Sequence, residues 1–450
     1  MSDDHEGWLT RRFVILPHTT EPKILMWPDG GSWTLPCVVS HGHGWWRDAE
    51  TVNSKVQEEL GDHVRALRCL SNVDDHAARV SHIVYVLENR GSSNGIMSKG
   101  KWIETETLSA LTLSYPEHRN FILGVLEEMK GRHVPYRRPP WALPEWFELA
   151  AGWFSEQLEG LGYNQVSPIE WIYNCPLASI LRAHTTTGKL YLKACTTLPL
   201  FADEPLLTSR VAVLFPERVP RPLAIHQKES WMLLPDLGDP RRGATTQERG
   251  EIVDLFARLQ IQSIQHVEEL LRSGCPDLRP DKLEDHVNLL HNVDGTTYGV
   301  SETQLERFRA TLHRVKELWE QLASYGIPCT LANGDMHLGN VAFYEGRHVF
   351  FDWGQGCVTH PFIDMGIFFQ EAELDPEFLE RYLSFWTSYE SMGRLQEAWA
   401  LAMPLSQIHF TIIYHHAVQH LGPEPEEMRV GDFEPIPSPR SLVSPQAQDT

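Results

Sequence analysis

The chain has 450 residues, of which 42% are hydrophobic, 22% charged and 10% aromatic, and its formal net charge is −21 at pH 7. This length exceeds what one hydrophobic core usually supports, so we expect at least two domains. The acidic balance argues against nucleic acid as the main partner, because binding a phosphate backbone needs clustered Lys and Arg.

The N-terminal ten residues, MSDDHEGWLT, are acidic and lack an apolar core, so no secretory signal is visible. No run approaches the roughly 18 apolar residues needed to cross a bilayer. The seven cysteines are scattered and include no CxxC pair, which favours reduced thiols over a disulfide framework or a zinc site. We therefore expect a cytoplasmic protein without a membrane partner, and the oligomeric state stays open.

Residues 1–130 are predicted to form a mixed α/β domain. Apolar runs alternate with turn signals over residues 11–39, and Asp29-Gly30-Gly31 between two of these runs predicts a hairpin turn. A helical pattern in AETVNSKVQEELGDHV, a strand pattern in SHIVYVLENRG and a second helical pattern in PEHRNFILGVLEEMKGR follow. The Pro-rich residues 131–145 are predicted to be a linker, because proline cannot continue a helix.

A second mixed region is predicted at residues 146–240, and a mainly helical region at residues 241–422. The first of these opens on a helix, WFELAAGWFSEQLEGLGY, and continues with strands in SILRAHTTTGKLYLKA that turn at Thr187-Gly188. A helix is predicted to begin near Asp203, and SWMLLPDLG reads as a buried strand that runs into a loop. Residues 423–450 are Pro-rich and polar, and we expect them to be disordered.

Two carboxylates and an amide lie close together in LANGDMHLGNVAFYEGRHVFFDWGQG, residues 331–356. Asp335 and Asn340 are five positions apart in a Gly-containing loop, and Asp352 follows a strand pattern. The intervening YEGR predicts a hairpin turn that returns Asp352 towards Asp335. Phosphoryl transfer from a nucleotide needs Mg²⁺ and a carboxylate that takes the proton of the acceptor hydroxyl, and Mg²⁺ prefers oxygen ligands. The pattern therefore predicts a phosphotransfer site.

This stretch resembles the aminoglycoside phosphotransferase and choline-kinase-like family, which shares the protein-kinase fold. The likeness is carried by Asp335-x-x-x-x-Asn340 within GDMHLGN, by FFDWG and by HPFIDM. It implies that Asp335 is the catalytic base, that Asn340 and Asp352 hold Mg²⁺, and that Asp364 is a structural aspartate. The family usually has His where this chain has Asn333, and the resemblance implies that this position braces the loop.

Residues further upstream match the same family in the same order. The resemblance implies that Lys193 in GKLYLKA reaches the α- and β-phosphates and that Glu204 on the next helix holds Lys193 in place. SWMLLPDLG resembles the family's hinge, which assigns Leu234 and Asp236 to adenine binding. The turn that would cover the phosphates, in YNCPLASILRA, has no glycine, and its predicted contact is Ser179.

The first domain resembles a Nudix hydrolase in GSWTLPCVV and in the helix that contains VQEELG. Nudix hydrolases hold Mg²⁺ with carboxylates three to four positions apart on one helical face. Here the family's Arg-Glu pair falls on Ser54 and Lys55, and we expect the ammonium of Lys55 to pair with Glu59. We therefore expect a Nudix-like fold in which hydrolysis is lost or altered. Such a domain would bind a ligand or stabilise the second domain.

We therefore expect an α+β protein in which a two-lobed, protein-kinase-like domain, with lobes at residues 146–240 and 241–422, follows a Nudix-like domain. Its predicted activity is transfer of a phosphoryl group from ATP, or from GTP, with Mg²⁺ to a hydroxyl of a small molecule such as an aminoglycoside, choline or an amino-sugar. Two alternatives stay open: nucleotide binding without turnover, and Nudix-type hydrolysis with the C-terminal region as an accessory. Lys55 speaks against the second alternative.

Overall fold

The structure is a computed structural model that describes residues 7–61, 64–90, 100–131, 137–282, 284–290, 302–371 and 376–421. The described residues fall into two compact units, one made of residues 7–194 with 420–421 and the other of residues 195–419. The predicted disordered tail, 423–450, and residues 132–136 of the predicted linker lie outside the described residues.

The described residues of the first unit form ten strands, the last of which ends on the first residue of the second unit, and four helices. The strands are β1 (Leu9–Ile15), β2 (Lys23–Asp29), β3 (Ser32–Thr34), β4 (Cys37–His41), β5 (Val64–Asp75), β6 (Val80–Asn89), β7 (Lys101–Glu104), β8 (Glu170–Asn174), β9 (Ala178–Thr185) and β10 (Gly188–Cys195). The helices are α1 (Ala49–Leu60), α2 (Thr105–Leu108), α3 (His118–Met129) and α4 (Trp146–Gly160), and a 3-10 turn spans Pro140–Ala142.

Three groups of strands are built from these elements. A four-stranded sheet has the order β4-β1-β6-β5, in which β1 and β6 are parallel and the other pairs antiparallel. A second sheet has the order β3-β2-β7, and its antiparallel β2–β3 pairing confirms the hairpin turn predicted at Asp29-Gly30-Gly31. The third group places β9 between β8 and β10.

The four-stranded sheet is buried on both faces. Phe13 and Ile15 of β1 join one core cluster, which includes residues of α3, whereas Val14 joins another, which includes residues of α1. Successive side chains of a strand point to opposite faces, so α1 and α3 cover opposite sides of the sheet. This double burial accounts for the consecutive apolar residues Phe13–Ile15 in β1 and Ile83–Leu87 in β6.

Helix α1 carries the predicted Nudix-like residues. Its N-terminus is capped by Asp48, whose side chain accepts a hydrogen bond from Thr51 N at 3.0 Å. The ammonium of Lys55 lies 2.9 Å from Glu58 Oε2, three positions along the helix. The prediction placed this ion pair on Glu59, four positions along; because both spacings share a helical face, sequence alone did not separate them.

The second unit is mainly helical. Its helices are α5 (Glu204–Leu214), α6 (Thr246–Ser263), α7 (Val267–Arg272), α8 (Glu284–Leu290), α9 (Glu302–Ala323), α10 (Pro361–Glu371), α11 (Pro376–Ser384) and α12 (Met392–Leu421), which runs two residues past the end of the unit. Its strands are β11 (Ala224–His226), β12 (Trp231–Pro235), β13 (Thr330–Ala332), β14 (Val341–Tyr344), β15 (Arg347–Phe350) and β16 (Cys357–Thr359). Short 3-10 turns lie at Gln227–Glu229, Arg241–Gly243, Ile264–His266, Pro280–Lys282 and Leu338–Asn340.

Antiparallel pairs join β11 to β12, β13 to β16 and β14 to β15. Helix α6 begins with a capping box, in which the side chains of Thr245 and Glu248 bond each other's backbone N–H. The combination of helices with largely antiparallel strands confirms the predicted α+β class. Among the described residues, no helix combines the length and the apolar character needed to span a membrane.

Candidate active site

The loop that follows β13 presents alternate side chains outwards. Met336 and Leu338 are buried, whereas Asp335 and His337 are partly exposed, and His337 has an extended backbone. The Asp335 side chain retains 31% of its accessible surface, so a hydroxyl group from solution can approach its carboxylate. An extended segment anchored by two buried apolar residues thus fixes which way Asp335 points.

Asp364, near the start of α10, holds the beginning of this loop. Its Oδ1 accepts a hydrogen bond from Gly334 N at 2.9 Å, and its Oδ2 accepts from Asn333 N at 3.2 Å and from Gln260 Nε2 at 3.3 Å. The hydroxyl of Tyr382 donates to Gln260 Oε1 at 2.7 Å. Burial raises the pKa of Asp364 to about 7, against the opposing effect of these donors. These contacts agree with the structural role that the resemblance implied.

Asn333 joins the loop to the turn that carries Asp352. Its Nδ2 donates to Phe351 O at 3.3 Å and to Asp352 O at 3.2 Å, and the side chain is fully buried. Phe351 N donates in turn to Asn340 O at 3.0 Å. The bracing role expected at position 333 is therefore carried out by an amide in this chain.

Position 334 needs glycine for two reasons: its backbone conformation and the lack of room for a side chain. Its φ is +78°, in the left-handed region that favours glycine, and a Cβ there would lie 2.1 Å from Gln355 O. The loop and the 352–355 turn can approach this closely only because position 334 has no side chain.

Asn340 and His337 surround the Asp335 carboxylate. Asn340 Nδ2 donates to Asp335 O at 2.8 Å and lies 3.5 Å from Asp335 Oδ2. His337 Nδ1 accepts from Gly339 N at 2.9 Å, so the proton of the neutral ring resides on Nε2, which lies 3.7 Å from Asp335 Oδ2. The Asn340 amide thus lies at the limit of hydrogen-bond distance from the carboxylate and the His337 ring lies just beyond it, while the Asn340 oxygen takes no part in these contacts.

The hairpin formed by β14 and β15 confirms the turn predicted in YEGR. Beyond it, Asp352 has a φ of +60°, and its side chain is partly exposed. Asp352 Oδ1 and Glu204 Oε2 both lie within 4 Å of the position that a Cβ on Gly354 would occupy. Ala202 N donates to Gly354 O at 3.0 Å, which ties the start of α5 to this turn. Both carboxylates therefore lie beside Gly354.

The remaining predicted residues lie on the expected elements, with one exception. Lys193 is on β10, Glu204 is the first residue of α5, and Leu234 and Asp236 lie at and just beyond the end of β12. Ser179, expected in a turn, is instead a fully buried residue of β9. Its hydroxyl oxygen accepts from Trp171 Nε1 at 2.7 Å, and its hydroxyl donates to Tyr173 O at 3.3 Å. The hydroxyl is thus engaged within the first unit.

Three residues near the loop were not anticipated from the sequence. Gln260 and Tyr382 support Asp364 from helices that lie far away in the chain, and the guanidinium of Arg242 lies against Gly339. None of the three belongs to a sequence motif, so their contacts with the loop could not be predicted from the sequence. They are found only through their contacts.

Comparison with known families places this loop in a recognised context. Residues 210–398 match the model of the phosphotransferase enzyme family. The matched segment includes Asp335, Asn340, Asp352 and Asp364, and it begins after Lys193 and Glu204. This segment is therefore similar to a phosphotransferase family. No curated protein gives a match to the chain.

Solved structures with a similar arrangement include three kinases or kinase-family proteins. A choline kinase from Cryptosporidium parvum Iowa II has 12% sequence identity and a TM-score of 0.46, over 64% of this chain and 93% of that one. An ethanolamine kinase from Plasmodium vivax has 12% identity and a TM-score of 0.43, over 56% and 76%. A choline/ethanolamine kinase family protein from Mesorhizobium loti has 13% identity and a TM-score of 0.41, over 62% and 85%.

Proposed function

We propose that the chain is a nucleotide-dependent phosphotransferase that transfers a phosphoryl group to a hydroxyl of a small molecule. The observation that carries the proposal is the hydrogen-bonded loop and turn, in which Asn333 and Asn340 join Asp335 to the segment bearing Asp352. The family match over residues 210–398 includes all four of these positions. A protein-kinase-like, two-lobed organisation is part of the same proposal.

Asp335 is assigned the role of general base. Its carboxylate is partly exposed and lies beside the Asn340 amide and the His337 ring, so an acceptor hydroxyl can donate its proton to it. Transfer needs little else from the protein than position and charge compensation, because the phosphoryl transition state is loose.

Asn340 and Asp352 are assigned to a divalent cation, ordinarily Mg²⁺. The donor set fits such an ion: it consists of oxygens, which hard cations prefer, and the Asn340 amide already directs its N–H group to Asp335 O, which leaves its oxygen available. When bound, the ion would offset the charge of the nucleotide phosphates.

The nucleotide is proposed to be ATP or GTP. By resemblance, Lys193 binds the phosphates of the nucleotide with Glu204 as the supporting acid. Leu234 and Asp236 lie beside its nucleobase. Leu234 is partly buried at the end of β12, and Asp236 Oδ1 accepts from Gly238 N at 3.0 Å, as in a loop that leaves a strand end. Each of these assignments is testable by binding of the Mg²⁺–nucleotide to a single variant.

The first test replaces Asp335 by Asn and measures ADP formation with a panel of aminoglycosides, choline, amino-sugars and hydroxy-amino acids. Loss of the base should lower acceptor-dependent turnover by roughly 10²- to 10⁴-fold, while Mg²⁺–nucleotide affinity is largely kept. Asp281→Asn, at an exposed acid paired with Lys282, is the matched control and should retain full turnover. Undiminished turnover by Asp335→Asn would remove this residue as the base.

Nucleotide binding without turnover is the second candidate. It is favoured by the glycine-free turn before β9 and by the engagement of the Ser179 hydroxyl within the first unit. Tight nucleotide binding by the wild-type chain, with no ADP formed on any acceptor of the panel, would support it.

A further inference from the structure

The segment between β12 and α6 is anchored beside the candidate catalytic loop. Pro240 forms an antiparallel bridge with Ala342, the second residue of β14. The next residue, Arg241, forms an ion pair with Glu248, which also belongs to the capping box of α6. The bridge therefore holds the 3-10 turn Arg241–Gly243 beside the strand that leaves the loop, and the ion pair ties the same turn to α6.

Arg242, in the middle of this turn, lies over Gly339. A Cβ on Gly339 would be 2.7 Å from one guanidinium nitrogen of Arg242 and 2.5 Å from the His337 ring. The φ of Gly339 is outside the left-handed region, so the backbone does not require glycine here. Glycine is needed because a side chain would have no room. Gly339 thus allows the guanidinium to approach the backbone of the loop.

The charge of Arg242 is not compensated within the part of the chain that the structure describes. Its neighbour Arg241 has a carboxylate partner, whereas no described acid forms an ion pair with Arg242, and the residue is exposed. In a chain of net charge −21, an exposed guanidinium with no carboxylate partner beside a candidate catalytic loop is well placed to attract an anionic ligand group.

We infer that Arg242 binds the phosphoryl group that is transferred. This inference rests on the proposed function and extends it. The acceptor oxygen must lie within a hydrogen bond of Asp335 and about 3 to 3.5 Å from the phosphorus before reaction. His337 connects the two sites, since its ring is beside Arg242 and its Nε2 is 3.7 Å from Asp335 Oδ2. The phosphoryl group therefore falls within reach of a flexible arginine side chain.

The role of Arg242 is electrostatic and requires no bond to it. The acceptor oxygen forms a bond to the γ-phosphorus as the bond from that phosphorus to the β–γ bridging oxygen breaks. The hydroxyl proton passes to Asp335, and the electron pair of the broken bond leaves on the nucleoside diphosphate. A planar guanidinium offers paired N–H donors to the equatorial oxygens, where negative charge accumulates.

The test compares binding of Mg²⁺–AMP-PNP and Mg²⁺–ADP by calorimetry, because only the first carries a third phosphate. Arg242→Gln should weaken AMP-PNP binding by roughly 10- to 100-fold and leave ADP binding unchanged. Gly339→Ala, which displaces the guanidinium, should also weaken AMP-PNP binding. Arg221→Gln, at another exposed arginine of the second unit, is matched in charge loss and should alter neither affinity.

Two results would overturn the inference. Equal affinities of Arg242→Gln and wild type for AMP-PNP would show that Arg242 does not contact the third phosphate, and a parallel loss for both nucleotides would indicate a general electrostatic effect. In either case, the proposed function is retained as long as the wild-type chain binds the nucleotides. Failure of the wild-type chain to bind both nucleotides would overturn the proposed function, and the role of Arg242 with it.

Discussion

Asn333 shows how one side chain can hold two segments of the candidate site together. Its amide donates to two backbone carbonyls of the Asp352 turn, while its own N–H is bound by Asp364. Such supporting contacts orient the groups that contact the ligand, so their loss reduces activity without removing a reacting atom. A histidine ring also carries an N–H donor, so it offers the same kind of hydrogen bond to one of these carbonyls.

Asn333→Ala should lower turnover by roughly 10- to 100-fold and destabilise the second unit by about 1 to 3 kcal/mol, since two carbonyls lose a buried donor. Asn333→His should recover most of the turnover. Steady-state kinetics with chemical denaturation of the same samples checks both effects. Full activity of the alanine variant would show that the turn keeps its position without this side chain.

At the scale of elements, the loop and its neighbouring turn depend on two glycines with the same backbone angle and different surroundings. Gly334 and Gly346 both have a φ of +78°. A Cβ on Gly334 would meet Gln355 O at 2.1 Å, whereas one on Gly346, in the turn between β14 and β15, would meet nothing within 4 Å. Comparing alanine variants at these two positions therefore separates the free-energy cost of the left-handed backbone from the cost of the close packing.

Gly346→Ala should cost about 1 to 2 kcal/mol, the cost of the left-handed conformation alone. Gly334→Ala adds a backbone clash that must push the Asp352 turn away, so its cost should exceed that of Gly346→Ala by about 1 to 3 kcal/mol. Turnover should fall strongly for Gly334→Ala alone. Equal free energies of unfolding for the two variants would contradict the close approach at Gly334.

At the scale of the whole molecule, each unit has its own buried core, and buried ionisable groups couple the stability of the second unit to pH. Burial lowers the pKa of His409 to about 4 and that of His360 to about 3. The unfolded chain takes up these protons near pH 6.5, so stability is lost as the pH falls from about 6.5 to about 4. Asp364 acts in the opposite sense, because its raised pKa costs stability as the pH rises from about 4 to about 7.

Two buried histidines outweigh one aspartate, so the second unit should be less stable at pH 5 than at pH 7. Each group contributes a slope of up to about 1.4 kcal/mol per pH unit within its own window. His409→Phe should reduce the loss on acidification, and Asp364→Asn should increase it. Chemical denaturation at both pH values measures the difference, and an unchanged pH dependence in His409→Phe would contradict the neutral, buried state of this ring.

The sequence by itself determined the features that depend on near neighbours in the chain. The spacing of Asp335, Asn340 and Asp352, the YEGR hairpin, the strand of Lys193 and the helix of Glu204 follow from turn residues and periodicity that act over a few positions. Ser179 was misplaced because the residues before it, YNCPLA, do not reveal where strand pairing begins.

Only the tertiary structure decided which distant residues support the loop. Gln260 and Asp364 are 104 positions apart, and Arg242 reaches Gly339 from another element altogether. Such contacts arise when helices and strands pack into one core, and each depends on the whole arrangement rather than on the residues beside it in the chain. For this reason, the local motif pointed to the candidate reacting groups, whereas the packed unit revealed what holds them in position.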